Sequence, residues 1–233
     1  MIISPTSICR TGLAALALWA LAAHASPPER VTLNYQMVRN GTVLGDVVEI
    51  LEHDGRNYTI TSEMKGRGIL AIFGSLKRTS RGRITPQGLR PDEFRDQRGS
   101  SGAVSAKFDW ETRSVTQERK GKSETLKMPA TAQDPLSLAY SFAFVPPKSK
   151  EYDVTRADGR GLTPFRFTVV GKEKLATPAG EIPTLRVTKV PDGPDDKATD
   201  IWFAADCDFL PVRVLVVEKD GTRSDQIVTR IGD

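Results

Sequence analysis

The strongest constraint on this chain is a hydrophobic period of two, sustained over most of its length and cut by turns. Val31, Leu33, Tyr35 and Met37 alternate with polar residues, and Asn40-Gly41 then marks a tight turn. Val43 to Glu52 is the next run, and His53-Asp54-Gly55 turns the chain again. Tyr58 and Ile60 share a face, as do Val104, Ala106, Phe108 and Trp110. The pattern returns at Phe165, Phe167 and Val169, at Leu185 and Val187, at Ile201 and Phe203, and at Val212, Val214 and Val216. A last hairpin turns at Asp220-Gly221 and is expected to place Ile227, Thr229 and Ile231 on one face. Turn signals this frequent indicate antiparallel strands joined by short loops.

Two segments break the period. Gly68 to Leu76 is apolar on most sides and bounded by glycines. Asp134 to Val145 opens with an N-cap residue followed by proline at the first helical position, and stops at Pro146-Pro147. Leu136, Leu138, Tyr140, Phe142 and Phe144 would also suit a strand, but the cap and the stop favour a helix. A large antiparallel sheet with so few helices must bury its apolar face on something. The expected fold is therefore mainly β: one large curved antiparallel sheet, an open or flattened barrel, with one or two short helices. A two-sheet β-sandwich is the alternative.

The first 25 residues read as an address. Arg10 precedes an uncharged run, Thr11 to Ala22, and Ala23-His24-Ala25 is a cleavage signal before Ser26. That order is a secretory signal peptide, and the run is short of the roughly 20 residues that span a bilayer. Cleavage after Ala25 leaves one β-rich domain over residues 26–233, with Pro146-Pro147-Lys148-Ser149-Lys150 as a hinge between two halves, and a periplasmic location. No later apolar run is long enough for a transmembrane helix. Without its leader the chain carries 32 basic against 29 acidic side chains, a mild balance that does not point to nucleic acid. Cys9 leaves with the leader, so Cys207 has no internal disulfide partner, and Asp206 and Asp208 beside it would blunt it as a nucleophile.

Familiar catalytic devices are missing. Beyond the leader the one histidine is His53, which reads as a solvated turn residue, and no G-x-S-x-G elbow or phosphate-binding loop occurs. One cysteine and one histidine make a poor zinc site. The acidic turn Asp192-Gly193-Pro194-Asp195-Asp196 lacks the spacing of a dedicated calcium loop. No cofactor and no enzymatic activity are expected, with a hydrolase using paired carboxylates as the remaining catalytic reading.

The most uneven charge lies between Lys65 and Arg98, where nine basic residues face only Asp92, Glu93 and Asp96. The apolar, glycine-bounded stretch comes immediately before the basic strand Lys77 to Arg83. An apolar flap beside cationic residues suits an anionic amphiphile or a membrane surface. The candidate contacts are Ile69, Leu70, Ile72 and Phe73 for an apolar part, with Arg78, Arg81 and Arg83 for an anionic head.

Several strings taken in order carry a resemblance. They are Tyr35 with Asn40-Gly41 and Gly45, Tyr58-Thr59-Ile60 followed by Gly68, Ser80-x-Gly82, and Gly88-Leu89-Arg90-Pro91. Phe108-Asp109-Trp110, Gln133-Asp134-Pro135-Leu136-Ser137, Thr177-Pro178-Ala179-Gly180, Ile201-Trp202-Phe203-Ala204 and Leu210-Pro211-Val212 complete the set. Together they resemble the bacterial envelope family catalogued as domain of unknown function 3108, which implies a periplasmic, mostly antiparallel β protein and no catalytic residues. The tryptophan strand before Leu-Pro-Val is similar, more loosely, to open-barrel periplasmic carriers of lipoproteins and lipids. The expected function is binding of a lipid or other amphiphilic anionic envelope molecule in a concave sheet. The alternative is an assembly or docking factor that binds another envelope protein.

Overall fold

The computed structural model describes residues 27–99, 102–193 and 196–232. The signal peptide expected at 1–25, and Pro194 and Asp195 of the acidic turn, lie outside the described residues, as do the side chains of Leu70 and Phe73. The first half comprises β1 (Arg30–Arg39), β2 (Thr42–His53), β3 (Asn57–Gly66), a 3-10 helix (Gly68–Phe73), β4 (Ser75–Thr85) and β5 (Gly88–Arg98). Then come β6 (Val104–Asp109), β7 (Ser114–Arg119) and β8 (Lys122–Lys127). The second half comprises β9 (Ala132–Gln133), α1 (Pro135–Phe144), β10 (Glu151–Ala157), β11 (Leu162–Thr177) and β12 (Gly180–Val190). It ends with β13 (Ala198–Ala204), β14 (Pro211–Val217) and β15 (Arg223–Gly232).

All of these strands join one sheet, in the order β8-β7-β6-β5-β4-β3-β2-β1-β15-β14-β13-β12-β11-β10-β9. The sandwich alternative therefore does not form. Neighbours are antiparallel except β9 and β10, which run parallel. The last strand returns to pair with the first, so β1 is the seam between the two halves. The sheet is not closed into a barrel: β8 and β9 are its two edges. Pro146 to Lys150 is the link from α1 to β10.

The sheet curls because it is bulged. Register shifts fall at Asn34/Tyr35, Arg81/Gly82, Val169/Gly171 and Trp202/Phe203. Each bends its strand and increases the twist. The first also corrects a face assignment. Leu33 pairs with Ile231, but Tyr35 pairs with Val228, so the bulge turns Val228 inward and Ile227 outward. Val228 is the fully buried residue of β15.

The concave face wraps α1, which is apolar on every side. Leu136, Tyr140 and Ala143 pack toward Leu33, Ile60, Phe94 and their neighbours in one cluster. Leu138 and Phe142 pack with Phe167, Val187, Ile201 and Phe203 in a second. A helix with apolar residues all round must be buried on all sides, and the curl of the sheet supplies both walls. Phe142 meets Phe203 edge-on with ring centroids 4.8 Å apart. Trp202 points the other way and lies between the guanidinium groups of Arg186 and Arg213, 5.2 and 4.8 Å from its ring.

Gly82 shows how tight the curl is. A Cβ there would lie 2.2 Å from the carbonyl oxygen of Arg90 on the neighbouring strand. Gly82→Ala is expected to cost about 1–3 kcal/mol, lowering Tm by about 2–4 °C per kcal/mol for a domain of this size. Gly102→Ala, where a Cβ would meet open space, should stay within about 0.5 kcal/mol of the parent. Urea denaturation followed by circular dichroism measures both.

Candidate functional site

The inside of the curl is organised by a buried carboxylate. Asp134 caps α1 and accepts from the backbone N–H of Leu136 and Ser137 at 2.8 and 3.0 Å. Its own N–H donates to the Ser137 hydroxyl, completing a capping box. The second carboxylate oxygen accepts from the Ser80 hydroxyl of β4 at 2.6 Å. Ser80 spends its one hydroxyl proton there, so the Tyr58 hydroxyl of β3 donates to Ser80 at 3.1 Å. Burial pushes the Asp134 carboxyl above its ordinary range, and the bonds from Ser80, Ser137 and Leu136 pull it part of the way back. Burial also raises the Tyr58 phenol, with the Asp134 charge reinforcing it.

A second buried carboxylate, Glu49 of β2, lies farther along the helix. It accepts from Tyr140 at 2.9 Å, Ser62 at 3.0 Å and Gln226 at 3.2 Å, joining α1, β3 and β15. Tyr35 donates to the Pro211 carbonyl at 2.7 Å and ties β1 to β14. Burial raises the Tyr35 and Tyr140 phenols, and the Glu49 charge adds to the effect.

Above this polar floor lies a chamber of about 570 Å³. Its walls are largely apolar, with Leu138, Phe165, Phe167, Ile201, Val214 and Val216 among them. Its cations are Arg78, Arg156, Lys189 and Lys197, and its carboxylates are Glu49 and Asp196. Glu49 already accepts from three donors, and Asp196 is 2.5 Å from the Lys189 ammonium. Arg156 and Lys189 each stand 4.8 Å from the Phe165 ring. The Arg156 Nε is buried with no hydrogen-bond partner among the described residues. A further cavity of about 470 Å³ lies by the C-terminal half of α1, lined by Phe142, Val154, Val187 and Phe203. Both cavities touch Leu138, Phe167 and Ile201, so these side chains lie between them.

The tip of the β10–β11 hairpin reaches across from the second half to β5 and β6 of the first. Gly159 there has φ +78°, and a Cβ on it would sit 2.5 Å from Val104 and 2.7 Å from the Ser105 carbonyl. Arg160 donates to Asp96 of β5 at 2.8 Å, with Arg98 at 3.5 Å and Arg78 at 4.0 Å from the same oxygen. Burial alone would raise the Asp96 carboxyl. The Arg160 bond and the charges of Arg78, Arg98 and Arg160 outweigh it and hold the group below the usual carboxylate range. Burial lowers the Arg78 guanidinium, while Asp96 opposes the shift.

Of the seven residues singled out in the sequence, the five whose side chains are described do not converge. The alternation of β4 sends Arg78 into the chamber and turns Arg81 and Arg83 to the outer face, where Arg83 pairs with Asp92 at 3.3 Å. Ile69 and Ile72 project into solvent from the 3-10 helix, which also carries Leu70 and Phe73. His53 is not a solvated turn residue. It ends β2, contacts the Pro27 carbonyl at 2.9 Å and meets Phe144 edge-on at 5.2 Å. The chamber residues that sequence reasoning missed carried a signal. Glu49 follows Val47 and precedes Leu51 in phase, Lys189 follows Leu185 and Val187, and Arg156 follows Val154. A charge at an inward position of an apolar alternation marks a polar group facing a cavity. Gln226 was hidden by the bulge. Cys207 is half-buried, and burial together with Asp208 pushes its thiol up. Among the described residues no three metal-ligating side chains gather.

The architecture defines a class: barrel-like proteins in which one strongly bent antiparallel sheet curls around a short internal helix without closing. A β-barrel-like protein of domain of unknown function 1849 from Brucella abortus is similar in fold. That structure has 12% identity and a TM-score of 0.58, over 89% of this chain and 99% of that one. A protein with a YmcC-like fold from Bacteroides fragilis is more distant, at 9% identity and a TM-score of 0.35, over 88% of this chain and 96% of that one. No curated protein matches. The sequence profile described as "Protein of unknown function (DUF3108)" matches residues 30–227, and the chain belongs to that family.

Asp134→Ala removes the cap and strands Ser80. It is expected to cost at least about 2 kcal/mol and to reduce helical signal in urea titrations. Asp96→Asn should cost about 1–3 kcal/mol at neutral pH. Because the folded-state pKa of Asp96 is depressed, the advantage of the parent is full above about pH 4 and is lost as pH falls further. Denaturation curves for both proteins between pH 2.5 and 7 measure the convergence.

Proposed function

We propose that this protein is a non-enzymatic envelope protein that binds an anionic amphiphile inside its curved sheet. The supporting observation is the chamber: apolar walls, a helix as floor, and four cations along its lining, of which Lys189 and Lys197 pair closely with Asp196 and Glu218, while Arg78 and Arg156 stand 4.0 and 3.7 Å from Asp96 and Asp158. The acidic head would sit among Arg78, Arg156, Lys189 and Lys197, and the tail would lie along Leu138, Phe167 and Ile201 toward the second cavity. Arg156 offers a buried N–H without a partner among the described residues. An anion would satisfy it and add to the Asp158 carboxylate that stands 3.7 Å from the same guanidinium. Each methylene removed from water contributes roughly 0.8 kcal/mol. A tail of about ten carbons therefore offsets much of the loss of motional freedom on association, estimated at roughly 4–15 kcal/mol. The periplasmic location belongs to the same proposal and rests on the leader-like residues 1–25.

Cis-parinaric acid tests the reading, because its fluorescence rises in an apolar site. The purified, delipidated chain should bind it saturably and bind its neutral methyl ester at least tenfold more weakly. Arg156→Ala should weaken the acid by about tenfold, the loss of one charge-assisted bond. Leu138→Trp, which fills the space between the two cavities, should abolish binding while leaving the unfolding midpoint within a few degrees. Absence of saturable binding, or equal binding by Leu138→Trp, would overturn the proposal.

A further inference from the structure

The 3-10 helix between β3 and β4 has no role in the chamber, yet it carries the two most exposed large apolar side chains described. Ile69 is 78% and Ile72 75% exposed, against 54% for Val170, the next highest. Their spacing of three places them on one face of a helix with three residues per turn. Gly68 and Gly74, at φ +57° and +75°, bound the helix. Around it stand Lys65, Arg67, Lys77 and Arg98, all exposed. The nearby acids Glu63 and Asp46 are engaged by Lys65 at 3.6 Å and by Arg67 at 2.6 Å.

The position of the helix follows from strand direction. Because the strands are antiparallel, the end of β3 and the start of β4 lie on the same rim as the end of β10 and start of β11, the end of β12 and start of β13, and the end of β14 and start of β15. Chamber residues Arg156, Lys189, Lys197, Val216 and Ser224 lie within a few positions of those ends. The apolar tip and these chamber residues therefore share one rim, while α1 runs toward the other.

We propose that this rim docks on an anionic phospholipid bilayer, with Ile69 and Ile72 entering the headgroup layer and Lys65, Arg67, Lys77 and Arg98 lying over the phosphates. Two shallow aliphatic side chains inside a basic ring suit an interface that is apolar below and anionic above. They fall far short of the roughly 1,200 Å² that a stable protein interface buries, which argues against a second copy as the occupant. Docking in this pose turns the chamber's basic end, with Arg156, Lys189 and Lys197, toward the lipid. The surface itself does not depend on what the chamber holds.

Co-sedimentation of the purified chain with vesicles tests this. Binding is expected to phosphatidylglycerol–phosphatidylcholine vesicles, to weaken as salt is raised, and to be at least tenfold weaker on phosphatidylcholine alone. The double variant Ile69→Ser/Ile72→Ser should bind on the order of tenfold more weakly, with an unchanged unfolding midpoint because both residues are exposed. Arg81→Ser/Arg83→Ser, on the outer face of β4 away from this rim, should bind as the parent does. No binding by the parent, or undiminished binding by the double serine variant, would overturn the proposal. So would concentration-dependent self-association that the serine variant relieves. Leu138→Trp should keep vesicle binding while losing cis-parinaric acid, so this reading and the chamber reading fail separately.

Discussion

The carboxylate of Asp134 is the point on which the molecule turns. It is fully buried, and its cost is met by two backbone N–H groups of its own helix and by a hydroxyl from β4. One residue thereby starts α1 and fixes the helix to the inner face of the sheet. A buried carboxylate without those donors would be strongly destabilising. The bonds select one seat for the helix, and that seat determines which side chains face the two halves.

From that seat the rest follows. Leu136, Tyr140 and Ala143 cover the first half, where Glu49 of β2 holds Tyr140, and Leu138 and Phe142 cover the second. The helix is too short to fill the curl along its whole length, so space remains beyond its N-terminal end. That space becomes the chamber, with Glu49 in its floor and the cations of β4, β10, β12 and the turn before β13 near its mouth. The hairpin tip at Gly159 and Arg160 ties the second half to β5 and β6 of the first through contacts outside the strand ladder.

The strings that carry the family resemblance gain physical meaning here. Tyr58, Ser80, Asp134 and Ser137 come from three separate strings and form one hydrogen-bonded chain. Pro91 and Trp110 come from two more, joined by the indole N–H donating to the Pro91 carbonyl at 2.7 Å, with Arg90 stacked on the ring at 4.8 Å. Tyr35 reaches the Leu-Pro-Val string through the Pro211 carbonyl. These positions serve the scaffold, and the chamber lining draws more on residues outside the strings, such as Arg156 and Lys189.

Much of the fold was legible because it is written in local periods. Alternation gave the strands, Asn40-Gly41 and Asp220-Gly221 gave turns, and Asp134-Pro135 gave the helix. These signals act over a few residues and depend only on backbone geometry and burial. The site was not legible in the same way. The side to which Arg78, Arg81 and Ile227 point depends on strand phase and on single-residue bulges, and a shift of one residue exchanges inside for outside. The return of β15 to β1, the seating of α1 between two apolar walls and the meeting of Arg160 with Asp96 join residues distant in the chain. By itself the sequence determined the strand repertoire, the helix start and the family. Tertiary structure alone decided which charges face the chamber and that the apolar tip shares its rim, because curvature and register arise only when all the strands pair at once.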